Sequence, residues 1–326
     1  GYYNSYSWAC ITPATTSVYG TDVTGNQRQD WLNSKYIIMW GWNPSEMRDG
    51  TNSEYILKEA RKKGARVVCI DPRMTLSAVA HADEWIPIRP GTDVAMMSAM
   101  AYVMITEGLY DREFVQRCCS GFNRGQMPAG HEDEESYEDY ILGGRDGQAK
   151  TPEWAERITT VPRDVIARIA REYATAEAAV LYQGYGMQRR AYGEQVVRAG
   201  CVLAAMTGNV GKSGGWASGI ALQAGGGPFW NIFPVLENPV KAQIPTFLWT
   251  EAILRGPELG AKDGLVGIDR LPHGIKMMWA VASNAIVNQH ANVNRTVGII
   301  SDTSMLEFFV VQDQFLTPTA QFADLV

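Results

Sequence analysis

From Asp93 to Glu107 the chain reads DVAMMSAMAYVMITE, and no other stretch restricts the fold as much. Val94, Met96, Met97, Met100, Tyr102, Val103, Met104 and Ile105 leave no polar stripe, so a helix here offers no face to water and must be enclosed by other layers. Thr92 or Asp93 caps its start, because a short side-chain oxygen accepts from N–H groups that lack a partner in the first turn. The preceding residues, DEWIPIRPG, place Arg89, Pro90 and Gly91 directly at the mouth of this buried element. Gly91 lets a ligand approach the backbone, and a helix N-terminus favours negative charge.

The rest of the chain supplies the enclosing layers. KYIIMW (35–40) is a buried-strand run followed by the turn GWNPSEMRDG. Thr51 and Glu54 form a capping box ahead of EYILKEARKK, Gly64 stops that helix, and ARVVCI (65–70) is a second strand. Strand, helix and strand at this spacing make a βαβ unit with a parallel pair. IPIR (86–89) reads as a third strand, and the acidic run HEDEESYED within 119–150 as a solvated insertion. Pro152 and Pro162 open helices over about 151–158 and 162–175, AVLYQGYG (179–186) is another strand, and QVVRAGCVLAAMTGN another buried helix. TGNVGKSGG lacks the GxxxxGK[ST] spacing of a phosphate loop and reads as a tight crossing of two chain segments. KMMWAVAS (276–283) and LEFFVVQD (306–313) are strands around a short helical stretch. These readings predict an α/β fold of two Rossmann-like lobes, with mostly parallel sheets flanked by helices, divided into 1–224 and 225–326.

A chain of 326 residues buries a sizeable core, and its formal charge of −6, without a basic run, argues against nucleic acid or anionic membrane as a partner. No apolar run approaches the roughly 18 residues of a membrane span. The five cysteines include no CxxC and no pairable histidine spacing, so neither a zinc site nor an iron–sulfur cluster is legible in them. Ligands of doubly wound sheets bind outside the carboxyl ends of the strands. Those ends carry Gly41-Trp42-Asn43-Pro44, Asp71-Pro72-Arg73, Arg89 with Gly91-Thr92-Asp93, and Gly184-Tyr185-Gly186-Met187-Gln188-Arg189. Glycine backbone, carboxylates, guanidinium groups and amides together suit a nucleotide. GWNPSE is not GxGxxG, which sets aside a plain NAD site.

WGWNP, IDPR, ADEWIPIRPGTDVAMM, GYGMQRR, TGNVGKSGG and VQDQFLTPTAQFADLV, in this order and spacing, resemble the molybdopterin oxidoreductase family, and above all its dimethyl sulfoxide reductase branch. The resemblance covers essentially the whole chain. It implies molybdenum held by two molybdopterin guanine dinucleotides, with Asp71 and Asp93 as carboxylate contacts of a guanine end, Arg73 or Arg89 near phosphates, and Asn209 of TGNVGKSGG in the cofactor-binding set. On the second lobe, Ser283, Asn284, Asn288 and Gln289, with Gln312 and Asp313, are expected to line the same cleft from the opposite side.

The branch takes one metal ligand from a Ser that follows an aromatic residue, and Tyr6-Ser7 fits that phrase. Here Asn4-Ser5 replaces the family's Gly-Asp, which leaves Ser5 and Cys10 as alternative donors. A deprotonated serine oxygen is a hard ligand suited to a high-valent metal. The resemblance further implies reduction of an S-oxide or N-oxide by oxygen-atom transfer in anaerobic respiration. It places an iron–sulfur cluster upstream of this fragment, an iron–sulfur electron-transfer subunit and a membrane anchor subunit as partners, and the parent at the extracytoplasmic face of the membrane or in the periplasm. The fragment alone is expected to be inactive. Two rivals stand beside this reading: a cofactor-free scaffold relative, which would show decayed loops, and a non-redox molybdopterin enzyme of hydroxyl transfer or hydration.

Overall fold

The computed structural model describes residues 2–3, 7, 9–21, 24–47, 52–219, 237–288 and 292–326. The chain divides into two compact units, Ser7–Trp230 and Asn231–Val326 together with Gly1–Tyr6.

In the first unit, four strands form one parallel sheet: β1 (Tyr36–Trp40), β2 (Arg66–Ile70), β3 (Glu84–Ile86) and β4 (Ala179–Gln183), in the order β3-β2-β1-β4. Trp40 lies level with Ile70 and Gln183, and Ile70 with Ile86, so all four strands end at one edge and deliver their loops there. β1 and β4 are buried along their whole length, which is why the sequence shows contiguous apolar runs and no alternation. The alternation is spatial instead. Ile38, Trp40, Val68, Ile70 and Leu181 face one layer, and Ile37, Met39, Val67, Cys69, Val180 and Tyr182 the other.

The first layer is built from α4 (Asp93–Thr106), α5 (Pro152–Thr159), α6 (Arg163–Thr175) and α7 (Gly193–Met206), with α4 packed against the other three. Every residue of α4 from Ala95 to Ala101 is buried, as its lack of a polar stripe requires. Each such Met contributes on the order of 1.5–3 kcal/mol by leaving water. The opposite layer contains α2 (Ser53–Lys62), whose Ile56, Leu57 and Ala60 meet Trp31, Trp42 and Trp216. Before these, α1 (Ile11–Tyr19) packs on α7 through Ile11, Ala14, Val197 and Cys201.

Three expectations need correction. The third strand is Glu84–Ile86 and not 86–89, because Pro87 has no N–H for the ladder and the Arg89 N–H leaves the sheet to donate to the Thr159 carbonyl, 2.9 Å away. A helix, α3 (Leu76–His81), was not anticipated between Asp71-Pro72-Arg73 and β3; Thr75 caps it by accepting from Ala78 N at 3.1 Å. The N-cap of α2 is Asn52, without a side-chain cap. Thr51 of the expected capping box lies outside the described residues, and Glu54 is hydrogen-bonded to Ser45 Oγ and, at 3.0 Å, to His81 Nε2.

The second unit contains a parallel pair, β5 (Met277–Val281) and β6 (Phe308–Gln312), in the register Met277 to Phe308 through Val281 to Gln312. The helices Ala285–Asn288 and Val293–Ile300 cross between them. Ala280, Phe309 and Val311 pack against Ile299, Ile300 and Leu306 on one face. Met277, Trp279 and Val281 point the other way and remain 53, 63 and 57% exposed.

Candidate functional site

At the carboxyl edge of the first sheet the four strand-end loops enclose a cleft of about 290 Å³, lined by Gly41, Ile70, Asp71, Pro72, Pro90, Gly91, Asp93, Gly186, Met187 and Arg190. Two glycines let the loops meet. A Cβ on Gly184 would fall 1.9 Å from the Gly41 carbonyl oxygen, so the first and fourth loops touch backbone to backbone. Gly91 has φ +84°, and a Cβ there would lie 2.2 Å from Arg190 Nη1. The RPGTD turn thus turns through a left-handed residue and leaves room for the guanidinium beside it.

Asp93 opens α4, where the helix dipole favours its negative charge. It is buried; Oδ1 accepts from Trp40 Nε1 at 3.0 Å, and Oδ2 faces Arg190 Nη2 at 3.7 Å. Thr92 does not cap the helix with its side chain, since Oγ1 donates to the Arg89 carbonyl at 2.7 Å. Across the cleft, burial pushes the Asp71 carboxyl up from the usual range, against the lowering effects of the Arg73 N–H and charge; the Arg73 N–H donates to Oδ1 at 2.9 Å. Two carboxylates, one of them raised by burial, stand with one arginine and a helix N-terminus around a small space. Such an arrangement accepts hydrogen bonds from a polar ring edge on one side and meets an anion on the other.

The structure brings Gly41, Asp71, Pro72, Gly91, Asp93, Gly186 and Met187 together, and it gives several other sequence candidates different duties. Trp42 is fully buried, 4.3 Å from the Tyr182 ring, and Asn43 Oδ1 accepts from Ser77 Oγ at 2.7 Å while Pro44 is buried behind it. Arg73 pairs with Glu46 at 2.9 Å on the surface, and Arg89 is exposed. Arg189 stands over the Tyr185 ring at 5.7 Å. Asn209 belongs at the other edge of the sheet: its Oδ1 accepts from Ala179 N, the first residue of β4, at 2.9 Å. Arg190 was missed. It is the second arginine of GYGMQRR, and only the turn of that loop decides which of the two reaches the cleft; Arg190 Nε is tied to the Met187 carbonyl at 3.1 Å.

The expected metal-ligand segment lies beside the fourth loop. Ser7 is exposed, and its carbonyl accepts from Gln188 Nε2 at 2.7 Å and from Arg189 Nε at 3.4 Å. Cys10 is half-buried, and burial, followed by the Glu194 carboxylate, pushes its thiol up. Ser5 lies outside the described residues.

In the second unit the strand-end side chains accept from backbone N–H groups. Ser283 Oγ accepts from Ala285 N at 3.2 Å, Asn284 Oδ1 from Thr319 N at 3.0 Å, and Asp313 Oδ1 from Phe315 N at 3.1 Å. Asn288 and Gln312 are exposed, and Gln289 lies outside the described residues. A larger cavity of the first unit, about 700 Å³, has mostly apolar lining such as Val18, Phe114, Val115, Phe122 and Met206, with Arg198 as its charged group and no carboxylate. The smaller cleft, by contrast, brings two carboxylates and a guanidinium group together. Among the described residues no helix is long and apolar enough to cross a membrane.

Comparison with known proteins agrees with the fold. The chain is 45% identical over its whole length to the dimethyl sulfoxide reductase DmsA of Escherichia coli (strain K12), of which it spans 40%, and 43% identical to its counterpart in Haemophilus influenzae. It is 29% identical to the dimethyl sulfoxide/trimethylamine N-oxide reductase of Rhodobacter capsulatus, covering all of this chain and 41% of that protein. Among solved structures, acetylene hydratase from Pelobacter acetylenicus superposes with a TM-score of 0.61 over 98% of this chain and 43% of its own, at 22% identity, a likeness of fold alone. The chain spans about 40% of the length of the curated relatives it matches. The molybdopterin oxidoreductase family model matches residues 1–326 from end to end, and with the parallel sheet and its converging edge loops in place, the chain belongs to that family, whose name implies a molybdopterin cofactor carrying molybdenum.

Proposed function

We propose that the chain is part of the catalytic subunit of a molybdenum oxidoreductase that reduces S-oxides or N-oxides by oxygen-atom transfer, and that the carboxyl-edge cleft takes the guanine end of a molybdopterin guanine dinucleotide. The observation that carries the reading is the pairing of Asp71 and Asp93 across a cleft closed by Arg190 and the α4 N-terminus. The residues fit such a group. The two carboxylates accept from the N–H edge of a guanine, Arg190 and the first-turn N–H groups of α4 meet phosphate oxygens, and Gly91 and Gly186 let the ligand reach backbone. The volume suits a nucleoside end and not a whole dinucleotide.

The bound cofactor supplies two-electron redox chemistry, while the protein orients it and tunes its surroundings. Ser7 would supply the protein's oxygen ligand to the metal, with Cys10 as the alternative donor. Asn288 and Gln312, exposed at the carboxyl edge of the second sheet, serve the second guanine dinucleotide. Electrons arrive through an iron–sulfur cluster and an iron–sulfur partner subunit, held by a membrane anchor subunit at the extracytoplasmic face.

Full-length protein expressed anaerobically, with the cofactor pathway intact, tests the proposal. The expected result is molybdenum near stoichiometry and reduction of dimethyl sulfoxide or trimethylamine N-oxide by a reduced dye. Absence of both molybdenum and tungsten would place the protein with cofactor-free scaffolds. Metal present without reductase activity would place it with the non-redox enzymes.

A further inference from the structure

We propose that Gln188 positions the Ser7 segment, its carboxamide acting as a clasp between that segment and the Gly184–Arg190 loop; the functional half of this inference rests on Ser7 being the metal's protein ligand. Gln188 is fully buried. One proton of its amide goes to the Ser7 carbonyl at 2.7 Å and the other to the Tyr185 carbonyl at 3.0 Å, while Oε1 accepts from Cys10 N at 3.1 Å. A primary amide has two protons to give, so Gln188 has none left for a nucleotide, unlike Gly186 and Met187, which line the cleft two and one residues before it.

The clasp ties the stretch just ahead of the packed part of α1 to the Gly184–Arg190 loop. Cys10 is the N-cap of α1, whose first N–H groups have no partner within the helix, and Gln188 satisfies one donor at that end. Gln188 is itself held from behind, because a Cβ on Gly193 at the start of α7 would lie 1.9 Å from the Gln188 carbonyl oxygen. Position therefore passes from α7, through Gln188, to the backbone on both sides of the Ser7–Cys10 stretch. A ligand oxygen must be held within about 0.5 Å of its working place, and an exposed serine has no packing of its own to achieve this. Arg189, 3.4 Å from the same carbonyl and exposed, is the weaker second tie.

The test uses the full-length holoenzyme with Gln188→Met, Gln188→Glu and, as reference, Ser7→Ala. Both Gln188 variants should keep their molybdopterin content, lose roughly 10–100-fold in kcat with KM little changed, and shift the electron paramagnetic resonance spectrum of the metal toward that of Ser7→Ala. Amide exchange at Cys10 should accelerate while Tyr36–Trp40 stays protected. A drop in molybdopterin content with an unchanged spectrum would make Gln188 a cofactor contact and overturn the proposal, as would variants indistinguishable from wild type. Should Ser7→Ala itself match wild type, the ligand reading fails and the functional half with it, whereas exchange at Cys10 still decides the clasp. If neither variant accumulates, the unmodified protein decides: a slowly exchanging Cys10 amide supports the clasp, and exchange at the free rate overturns it.

Discussion

The two parallel sheets end differently. In the first unit both faces are covered, and the carboxyl edge opens into a cleft that keeps two carboxylates and an arginine turned toward one space. In the second unit one face carries exposed Met277, Trp279 and Val281, and at the edge Ser283 and Asp313 are bonded to backbone N–H groups of their own turns and Asn284 to that of Thr319. Turn bonds alone do not separate the two edges, because Asp71 also accepts from the Arg73 N–H of its own turn at 2.9 Å. The first edge differs in that covered faces and backbone contacts such as Gly184 on Gly41 fix its loops, so that Asp71, Asp93 and Arg190 converge on one cleft.

The largest effect should separate the two sheets by their faces. Met100→Asp puts an unpaired charge in the most enclosed helix and should cost about 4 kcal/mol or more, whereas Trp279→Asp, on the bare face, should stay within about 0.5 kcal/mol. Urea denaturation followed by fluorescence distinguishes them, and a comparable loss for both would break the comparison.

At the edges, Asp93→Asn in the full-length protein should lower molybdopterin retention by about one to two orders of magnitude, because a charge-assisted contact of roughly 1.5–3 kcal/mol is removed. Gln312→Ala, which removes a neutral and exposed group, should lower it less. Cofactor content per mole of protein checks both, and equal losses would mean that the two edges bind alike. Gly91→Ala forces a β-carbon into a left-handed backbone and against Arg190, so thermal unfolding should show a cost of about 1–2 kcal/mol.

The smallest effect concerns Asp71. Burial raises its folded pKa above the unfolded value, so the folded state binds more protons across the window just above the ordinary carboxylate range, and stability falls as pH rises through it. Asp71→Asn should remove that fall, leaving the chain at pH 7 at least as stable as wild type while it retains less cofactor. A variant destabilised at pH 7 but not at pH 3 would contradict the assignment. Asp30 behaves in the opposite sense: burial raises its pKa, but hydrogen bonds from Asn33, Gly214, Ser213 and Asn26 outweigh this and hold it low, so its contribution is lost only as acid protonates it.

Much of this was legible in the residues. β1, β2 and β4 read directly because strands buried on both faces are unbroken apolar runs closed by glycine or proline, and α4 read directly because nothing polar interrupts it. IPIR misled because Ile88 is buried as loop and not as strand, a distinction that hydropathy does not carry. The loops of the site were legible as a set, since topology alone sends strand ends to one edge. Individual roles were not. Whether Arg73, Arg89, Arg189 or Arg190 faces the cleft depends on turns and on surface partners such as Glu46, and Asn209 sits in a glycine-rich phrase that folds to the far edge. Gln188 looked like a ligand group from the sequence because an amide's partners are invisible until the chain is closed around it.

The central claim is that the carboxyl-edge cleft of the first sheet receives the nucleotide end of the cofactor. Amide hydrogen exchange of the full-length protein, prepared with cofactor and from cells unable to make it, measures this without any substitution. The account predicts that cofactor slows exchange at Gly91–Asp93 and Gly184–Arg190 while Tyr36–Trp40 is protected in both forms. Unchanged exchange in those two loops, with new protection confined to other surfaces, would contradict it.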